Sequence, residues 1–253
     1  MIKKRTYITI GIITAIYTVL MIFFYYVYIY INVTVIFDPD NILKYDGSSW
    51  RVSDKLDSLY ENYNVYSNYE LLGNYSIRHS LSSKRWSVYD KSNKKITTEN
   101  IFAYKGNKKM SLIPFYEEEL PYEYENVLKS YLDSKGIAIS LEQCYSNFYE
   151  IDLNNDGVKE QIITVSNKAE SSSLLAFDAV IINNGGKTTE VKFKSDKSDK
   201  WYNVGYTYLY KIIDIKEDGK YELFFWTTYF GNSHNCISVV ESKGKKIDID
   251  KKC

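Results

Sequence analysis

The stretch Phe148-Tyr-Glu-Ile-Asp-Leu-Asn-Asn-Asp-Gly-Val-Lys-Glu-Gln-Ile-Ile-Thr-Val165 contains the clearest structural pattern of this chain. Asp152, Asn154 and Asp156 place side-chain oxygens at alternate positions, and the glycine that follows permits a sharp turn. Val158 then offers a backbone carbonyl, and Glu160 adds a carboxylate. Hard divalent cations prefer such converging oxygens. The sequence therefore predicts one Ca²⁺ site with these five residues as ligands, and a metal-free Asx-type turn is the alternative.

The residues after the loop exclude one common calcium motif. An EF-hand needs a bidentate glutamate where this chain has Ile163, and the β-branched run around Ile163 favours a strand over an exiting helix. The stretch instead resembles the FG-GAP/VCBS-type repeat of bacterial surface proteins, in which such a loop joins two strands of a propeller-like blade. The resemblance implies a structural or binding module with calcium ligands at Asp152, Asn154, Asp156 and Glu160.

A weaker copy of the motif follows, Ile213-Asp-Ile-Lys-Glu-Asp-Gly-Lys-Tyr-Glu-Leu-Phe-Phe225. Lys216 occupies its third position, and an ammonium there competes with a cation for the same space. We expect this copy to keep the turn and lose the metal. Short strands follow each loop in step, and the last hairpin is predicted to pair Val239 with Ile247. Two such meanders are too few to close a propeller. Either the N-terminal half supplies further sheet, or the repeats form a small open β structure.

No charged residue occurs between Thr6 and Phe37, and such an apolar run is long enough to span a bilayer as a helix. Lys3, Lys4 and Arg5 precede it, so the positive-inside rule places the N-terminus in the cytoplasm and the remainder outside the cell. A cleaved signal peptide is the alternative, but no small-residue cleavage site follows the run. The predicted fold class is α+β: one N-terminal transmembrane helix, then a β-rich extracytoplasmic domain with two tandem meander repeats and one or two helices.

The predicted organisation has five parts. They are a cytoplasmic tail (1–5), the transmembrane helix (6–31), a linker (32–50), an α+β extracytoplasmic region of unknown fold (51–143), and the tandem β repeats (144–253). Within the fourth part, residues 53–72 are predicted to be a helix whose recurring tyrosines pack inward, with stacking on sugar rings as the alternative. A second helix is predicted over residues 117–135, ended by Gly136.

Composition and missing motifs narrow the classes of function. The chain carries 32 basic and 32 acidic side chains, which does not favour nucleic-acid binding. A thiol hydrolase would need a base beside Cys144, and His234 with Asn235 is the one arrangement that the sequence suggests, without any family signature around it. The chain has three cysteines, and the sequence does not decide whether Cys236 and Cys253 form a disulfide bond.

The function expected from these patterns is that of a single-pass, membrane-anchored, extracytoplasmic calcium-binding module for interaction or scaffolding, without catalysis. Its expected partners are the membrane and an extracellular protein or cell-wall component. The expected location is the cell membrane, with a cytoplasmic N-terminus and an extracellular C-terminal domain. Two alternatives are an external cell-wall or peptide hydrolase and a subunit of an envelope secretion or conjugation assembly.

Overall fold

The computed structural model describes residues 12–25, 33–38, 41–45, 50–53, 62–79, 86–97, 101–105, 111–167, 176–196, 204–215, 218–229, 235–241 and 246–248. The chain divides into two compact units, Met1–Lys109 and Met110–Cys253. Helix α1 covers residues 12–25, helix α2 is Tyr122–Ser134, and Leu141–Gln143 form one 3₁₀ turn.

The first unit contains strands β1 (Val33–Asp38), β2 (Asn41–Tyr45), β3 (Trp50–Ser53), β4 (Asn62–Ser67), β5 (Glu70–His79), β6 (Trp86–Tyr89), β7 (Lys95–Ile96) and β8 (Ile101–Lys105). The second contains β9 (Ser111–Leu112), β10 (Cys144–Ile151), β11 (Glu160–Asn167), β12 (Ala176–Asn184), β13 (Lys187–Asp196), β14 (Gly205–Asp214), β15 (Glu222–Tyr229), β16 (Asn235–Val240) and β17 (Lys246–Asp248).

The predicted α+β class is wrong, because strands predominate in the described residues and only two α-helices occur among them. No helix in the described part of the chain has the length and hydrophobicity needed to cross a bilayer. A span needs about 20 apolar residues, whereas the described part of α1 covers residues 12–25. The end of the uncharged run, Val33-Thr-Val-Ile-Phe37, lies in strand β1, in keeping with the preference of β-branched and aromatic residues for sheets.

The first unit is built on one eight-stranded antiparallel sheet in the order β3-β2-β1-β8-β4-β5-β6-β7. The helix predicted over residues 53–72 is wrong, since residues 62–79 form the hairpin β4–β5. Asn68 and Tyr69 make its turn with positive φ angles. Tyr63 and Tyr66 are 1% and 4% exposed, so they are core residues and do not form a sugar-stacking surface.

The second unit has three layers. The meander β10-β11-β12-β13 forms one sheet, and β17-β16-β15-β14-β9 forms the other. The sheets share a core that includes Tyr149, Ile162, Leu209 and Phe225. Helix α2 covers the opposite face of the first sheet through Leu128 and its apolar neighbours. The two meanders therefore pack face to face, with the first sheet between the helix and the second sheet.

Three local predictions in this unit are confirmed. Helix α2 lies within residues 117–135, and Gly136 follows its end with a φ of +72°. A strand follows each loop as predicted, β11 after the first and β15 after the second. In the last hairpin Val239 pairs with Ile247, the register predicted from the apolar pattern.

The first described residues of the second unit protect two strands that would otherwise be sheet edges. Strand β9 pairs with β14 through Ile213 and Leu112. A few residues later, Glu118 and Phe148 exchange two backbone hydrogen bonds, of 3.0 and 3.1 Å, at the edge strand β10. Residues 111–118 therefore contact one edge strand of each sheet in the second unit.

Candidate functional site

The predicted calcium loop closes the hairpin between β10 and β11. The two strands pair without interruption from Cys144 with Asn167 to Ile151 with Glu160. Ile151 and Leu153 are buried on either side of the half-exposed Asp152, and residues 155–159 are exposed. The alternation of apolar and polar residues thus fixes the base of the loop in the core and leaves its tip in solvent.

Side chains of the loop accept hydrogen bonds from its own backbone. The Asp152 carboxylate accepts the N–H groups of Asp156, at 3.1 Å, and of Gly157, at 2.8 Å. Asn154 Oδ1 also accepts the Asp156 N–H, at 3.0 Å, and Asp156 Oδ1 accepts the Val158 N–H, at 2.8 Å. Gly157 has a φ of +87°, which glycine adopts without strain. The result is a series of Asx-type turns in which the Asp152 and Asn154 oxygens share the Asp156 N–H as donor.

Glu160 has a different place from the other predicted ligands. Its side chain is 4% exposed, and Oε2 accepts the Leu153 N–H at 2.9 Å. Oε1 accepts hydrogen bonds from Asn154 Nδ2, at 3.4 Å, and from Asn184 Nδ2, at 3.0 Å. Glu160 therefore binds the backbone at the base of the loop and links the loop to the β12–β13 hairpin.

The predicted ligands are oxygen donors of the kind that calcium prefers, but their carboxylates do not all form one cluster. Among the described residues, no three His, Cys, Asp or Glu side chains form a cluster suited to a metal ion. The set closest to the prediction is two carboxylates, Asp152 and Asp156, with the amide oxygen of Asn154. Each of these oxygens has a lone pair beyond the one used in its turn, and calcium commonly completes its six to eight ligands with backbone carbonyls and water.

The second loop, between β14 and β15, repeats the contacts of the first. Asp214 accepts the N–H groups of Asp218, at 3.2 Å, and of Gly219, at 3.0 Å. Asp218 Oδ1 accepts the Lys220 N–H at 3.0 Å. Glu222, 3% exposed, accepts the N–H of Ile215 at 3.1 Å, as Glu160 accepts that of Leu153. The predicted turn is therefore present, while Lys216 lies outside the described residues.

The two loops are neighbours in space. The Tyr221 N–H of the second loop region donates to the Leu153 carbonyl of the first, at 3.0 Å. Leu153 is thus held from both sides, by the Glu160 carboxylate at its nitrogen and by Tyr221 at its oxygen. Leu153 therefore connects the backbone of the first loop to that of the second loop region.

A buried polar cluster between the two sheets was missed by the sequence analysis. Asp178 Oδ2 lies 2.6 Å from Lys192 Nζ, and the two side chains are 1% and 10% exposed. Thr207 donates to the same carboxylate oxygen at 2.6 Å, and Lys192 donates to Thr227 at 2.8 Å. A signal existed, because Asp178 interrupts the apolar run Phe177-Asp-Ala-Val-Ile-Ile182. A buried carboxylate needs a charged or hydrogen-bonding partner.

Of the thiol arrangement that the sequence suggests as an alternative, only Cys144 has a described side chain. Cys144 is half-buried at the start of β10, and its Sγ lies 3.6 Å from the Ser140 carbonyl oxygen. Burial raises the pKa of the Cys144 thiol to about 11, so the nucleophilic thiolate is scarce near neutral pH. His234, the predicted base, lies outside the described residues, as does the side chain of Asn235.

The cysteines differ in their chemical state. Cys144 is a free thiol, whereas Cys236 on β16 is disulfide-bonded. The bridge considered from the sequence joins Cys236 to Cys253, and Cys253 lies outside the described residues. Disulfide bonds are typical of proteins in oxidising compartments.

Comparison with known proteins gave no match: no family model, no curated protein and no solved structure is significantly similar to the chain.

Proposed function

We propose that this protein is an extracytoplasmic calcium-binding module for interaction or scaffolding, without catalytic activity of its own. The observation that carries the proposal is the series of turns in one exposed loop, in which the Asp152 and Asn154 oxygens accept the same N–H group and Asp156 Oδ1 accepts that of Val158. Bound calcium would neutralise the two carboxylates and cross-link the loop. The same turn in the second repeat, where Lys216 replaces the amide, supplies an internal comparison.

The chain's own residues give the ion-binding loop a rigid base. Glu160 fixes the Leu153 nitrogen, Tyr221 fixes the Leu153 carbonyl, and Asn184 joins the loop to the neighbouring hairpin. A loop held in this way loses little conformational entropy when an ion binds. A binding module is favoured over a thiol hydrolase, because the raised pKa of Cys144 keeps its thiol protonated.

The disulfide bond of Cys236 supports a location outside the cytoplasm, where thiols are oxidised. Extracellular modules with weak sites can stay loaded where calcium is abundant. Attachment to the cell membrane through the N-terminal apolar sequence stays a prediction, since residues 1–11 and 26–32 lie outside those described.

A calcium titration by calorimetry on the full-length protein, paired with thermal unfolding, tests the proposal. We expect saturable binding of about one ion and a stabilisation of roughly 2.7 kcal/mol when calcium is at a hundred times its Kd. Asp156→Ala should abolish both effects. Asp218→Ala removes the equivalent turn acceptor of the second loop and should leave both effects in place.

Two results would contradict the proposal. One is the absence of binding heat in millimolar calcium. The other is equal loss of binding in Asp156→Ala and Asp218→Ala, which would point to a general effect on folding.

A further inference from the structure

A surface groove lies between helix α2 and the β12–β13 hairpin, on the face of the first sheet away from the second. Its volume is about 650 Å³, within the range of small-ligand sites. Asn126, Ser130 and Tyr131 line it from the helix, and Thr188 and Glu190 line it from β13. The groove thus combines amide, hydroxyl, carboxylate and aromatic groups from two elements.

The charged groups of the groove neutralise one another. Glu190 Oε2 lies 2.6 Å from Lys135 Nζ and accepts the Tyr131 hydroxyl at 2.8 Å. The Lys135 ammonium also lies over the rings of Tyr131 and Phe193, 5.7 and 5.2 Å from their centroids. This group of four side chains orients the tyrosine and leaves no net charge for a ligand to balance.

Other polar groups of the groove have hydrogen-bonding capacity to spare. Within the described residues, the exposed side chains of Asn126, Ser130 and Thr188 make no hydrogen bond. Each can both donate and accept hydrogen bonds.

The lining residues favour some classes of ligand over others. Val127 is the one aliphatic side chain that lines the groove, and the rest of its apolar surface belongs to residues that also carry polar groups. A purely apolar ligand would leave those amide and hydroxyl groups without hydrogen-bond partners. An anion would meet Glu190, and a cation would meet Lys135. Neutral molecules rich in hydroxyl groups both donate and accept, which matches amide and hydroxyl side chains. We propose that this groove binds a neutral saccharide, with Asn126, Ser130 and Thr188 as hydrogen-bonding residues.

The inference rests on the proposed function, for which it names the class of partner. The groove and the calcium loop meet at one hairpin: Gly186 and Thr188 line the groove, and Asn184 donates to Glu160 below the loop. Ordering of the loop by calcium would therefore stabilise the hairpin that forms one wall of the groove. Saccharide binding should be tighter in calcium than in chelator.

Saturation-transfer NMR on the full-length protein, with chitotetraose, cellotetraose and maltotetraose as probes, tests this site. We expect saturable binding of at least one probe. Ser130→Trp fills the groove and should abolish binding, and Thr188→Ala should weaken it a few-fold, as loss of one hydrogen bond does. Asp133→Trp places the same side chain at an exposed helix position outside the groove and should leave binding unchanged.

Binding of none of the three probes would overturn the saccharide site, as would undiminished binding in Ser130→Trp. A calcium titration of the same sample separates the two proposals. Calcium binding without saccharide binding overturns only this inference. The opposite result is saccharide binding, lost in Ser130→Trp and retained in Asp133→Trp, in a protein that does not bind calcium. That result supports the saccharide site and overturns the calcium module.

Discussion

The two loops of the second unit have the same hydrogen-bonded turn but differ in the ligands that they offer. In both, an aspartate accepts two backbone N–H groups, and a buried glutamate accepts the N–H of the residue directly after that aspartate. Only the first loop has an amide, Asn154, where the second has Lys216. The turn is therefore present whether this position holds Asn154 or Lys216, whereas the proposed ion site needs the Asn154 oxygen.

The largest expected effect concerns what each sheet of the second unit contributes to the interface between them. The sheet of β12 and β13 supplies the ion pair Asp178–Lys192, and the sheet of β14 and β15 supplies the hydroxyls of Thr207 and Thr227. Asp178→Ala leaves a buried ammonium without its counter-charge, so we expect a loss of about 3–5 kcal/mol in unfolding free energy. Thr227→Val removes the hydroxyl that accepts from the Lys192 ammonium and contacts Thr207, and it should cost less, about 1.5–3 kcal/mol.

Urea unfolding of both variants measures the difference. The double variant Asp178→Leu/Lys192→Met, which removes both charges, should recover most of the lost stability. Equal costs for Asp178→Ala and Thr227→Val would show that the ion pair contributes no more than a hydroxyl.

An intermediate effect is expected for the two buried glutamates. Glu160→Ala and Glu222→Ala each deprive a backbone N–H of its acceptor, at Leu153 and Ile215, and should cost about 1–3 kcal/mol without calcium. In calcium the two should diverge, because only Glu160 supports the predicted ion site. Unfolding with and without calcium tests this. A calcium-dependent stabilisation lost equally in both variants would mean that the loops act as one site.

The smallest effect should be the same in both loops. Gly157 and Gly219 have φ angles of +87° and +75°, and an added Cβ meets no atom within 4 Å at either position. Alanine at either position therefore suffers only the backbone penalty, about 1–2 kcal/mol. Thermal unfolding of both variants in chelator checks this. A clear difference between them would show that the loops do not share one backbone geometry.

Patterns local in the sequence predicted the second unit well. The Asp152 and Asp214 turns, the strands after them and the pairing of Val239 with Ile247 follow from neighbouring residues, since turn chemistry and apolar alternation are local properties. The helix around Tyr63 and Tyr66 was wrong because tyrosines at every third position fit a helix surface, whereas Val65 and the aromatic side chains around it also favour a strand.

Long-range arrangements could not be predicted from such patterns. The ion pair Asp178–Lys192 depends on two strands of one sheet and on threonines from the facing sheet, and no spacing rule connects these four residues. The position of Glu160 is a similar case. The sequence identifies it as an oxygen donor, but its burial beneath Leu153 appears only once β11 is placed in the core.

The contacts of residues 111–118 have a consequence for aggregation and for the choice of truncation sites. An uncovered edge strand offers unpaired N–H and C=O groups to another molecule, and here one short segment pairs with both β14 and β10. A fragment starting after residue 118 would expose the edges of both β14 and β10. These edges could then pair with strands of other copies of the fragment. A fragment starting at residue 110 keeps both protected.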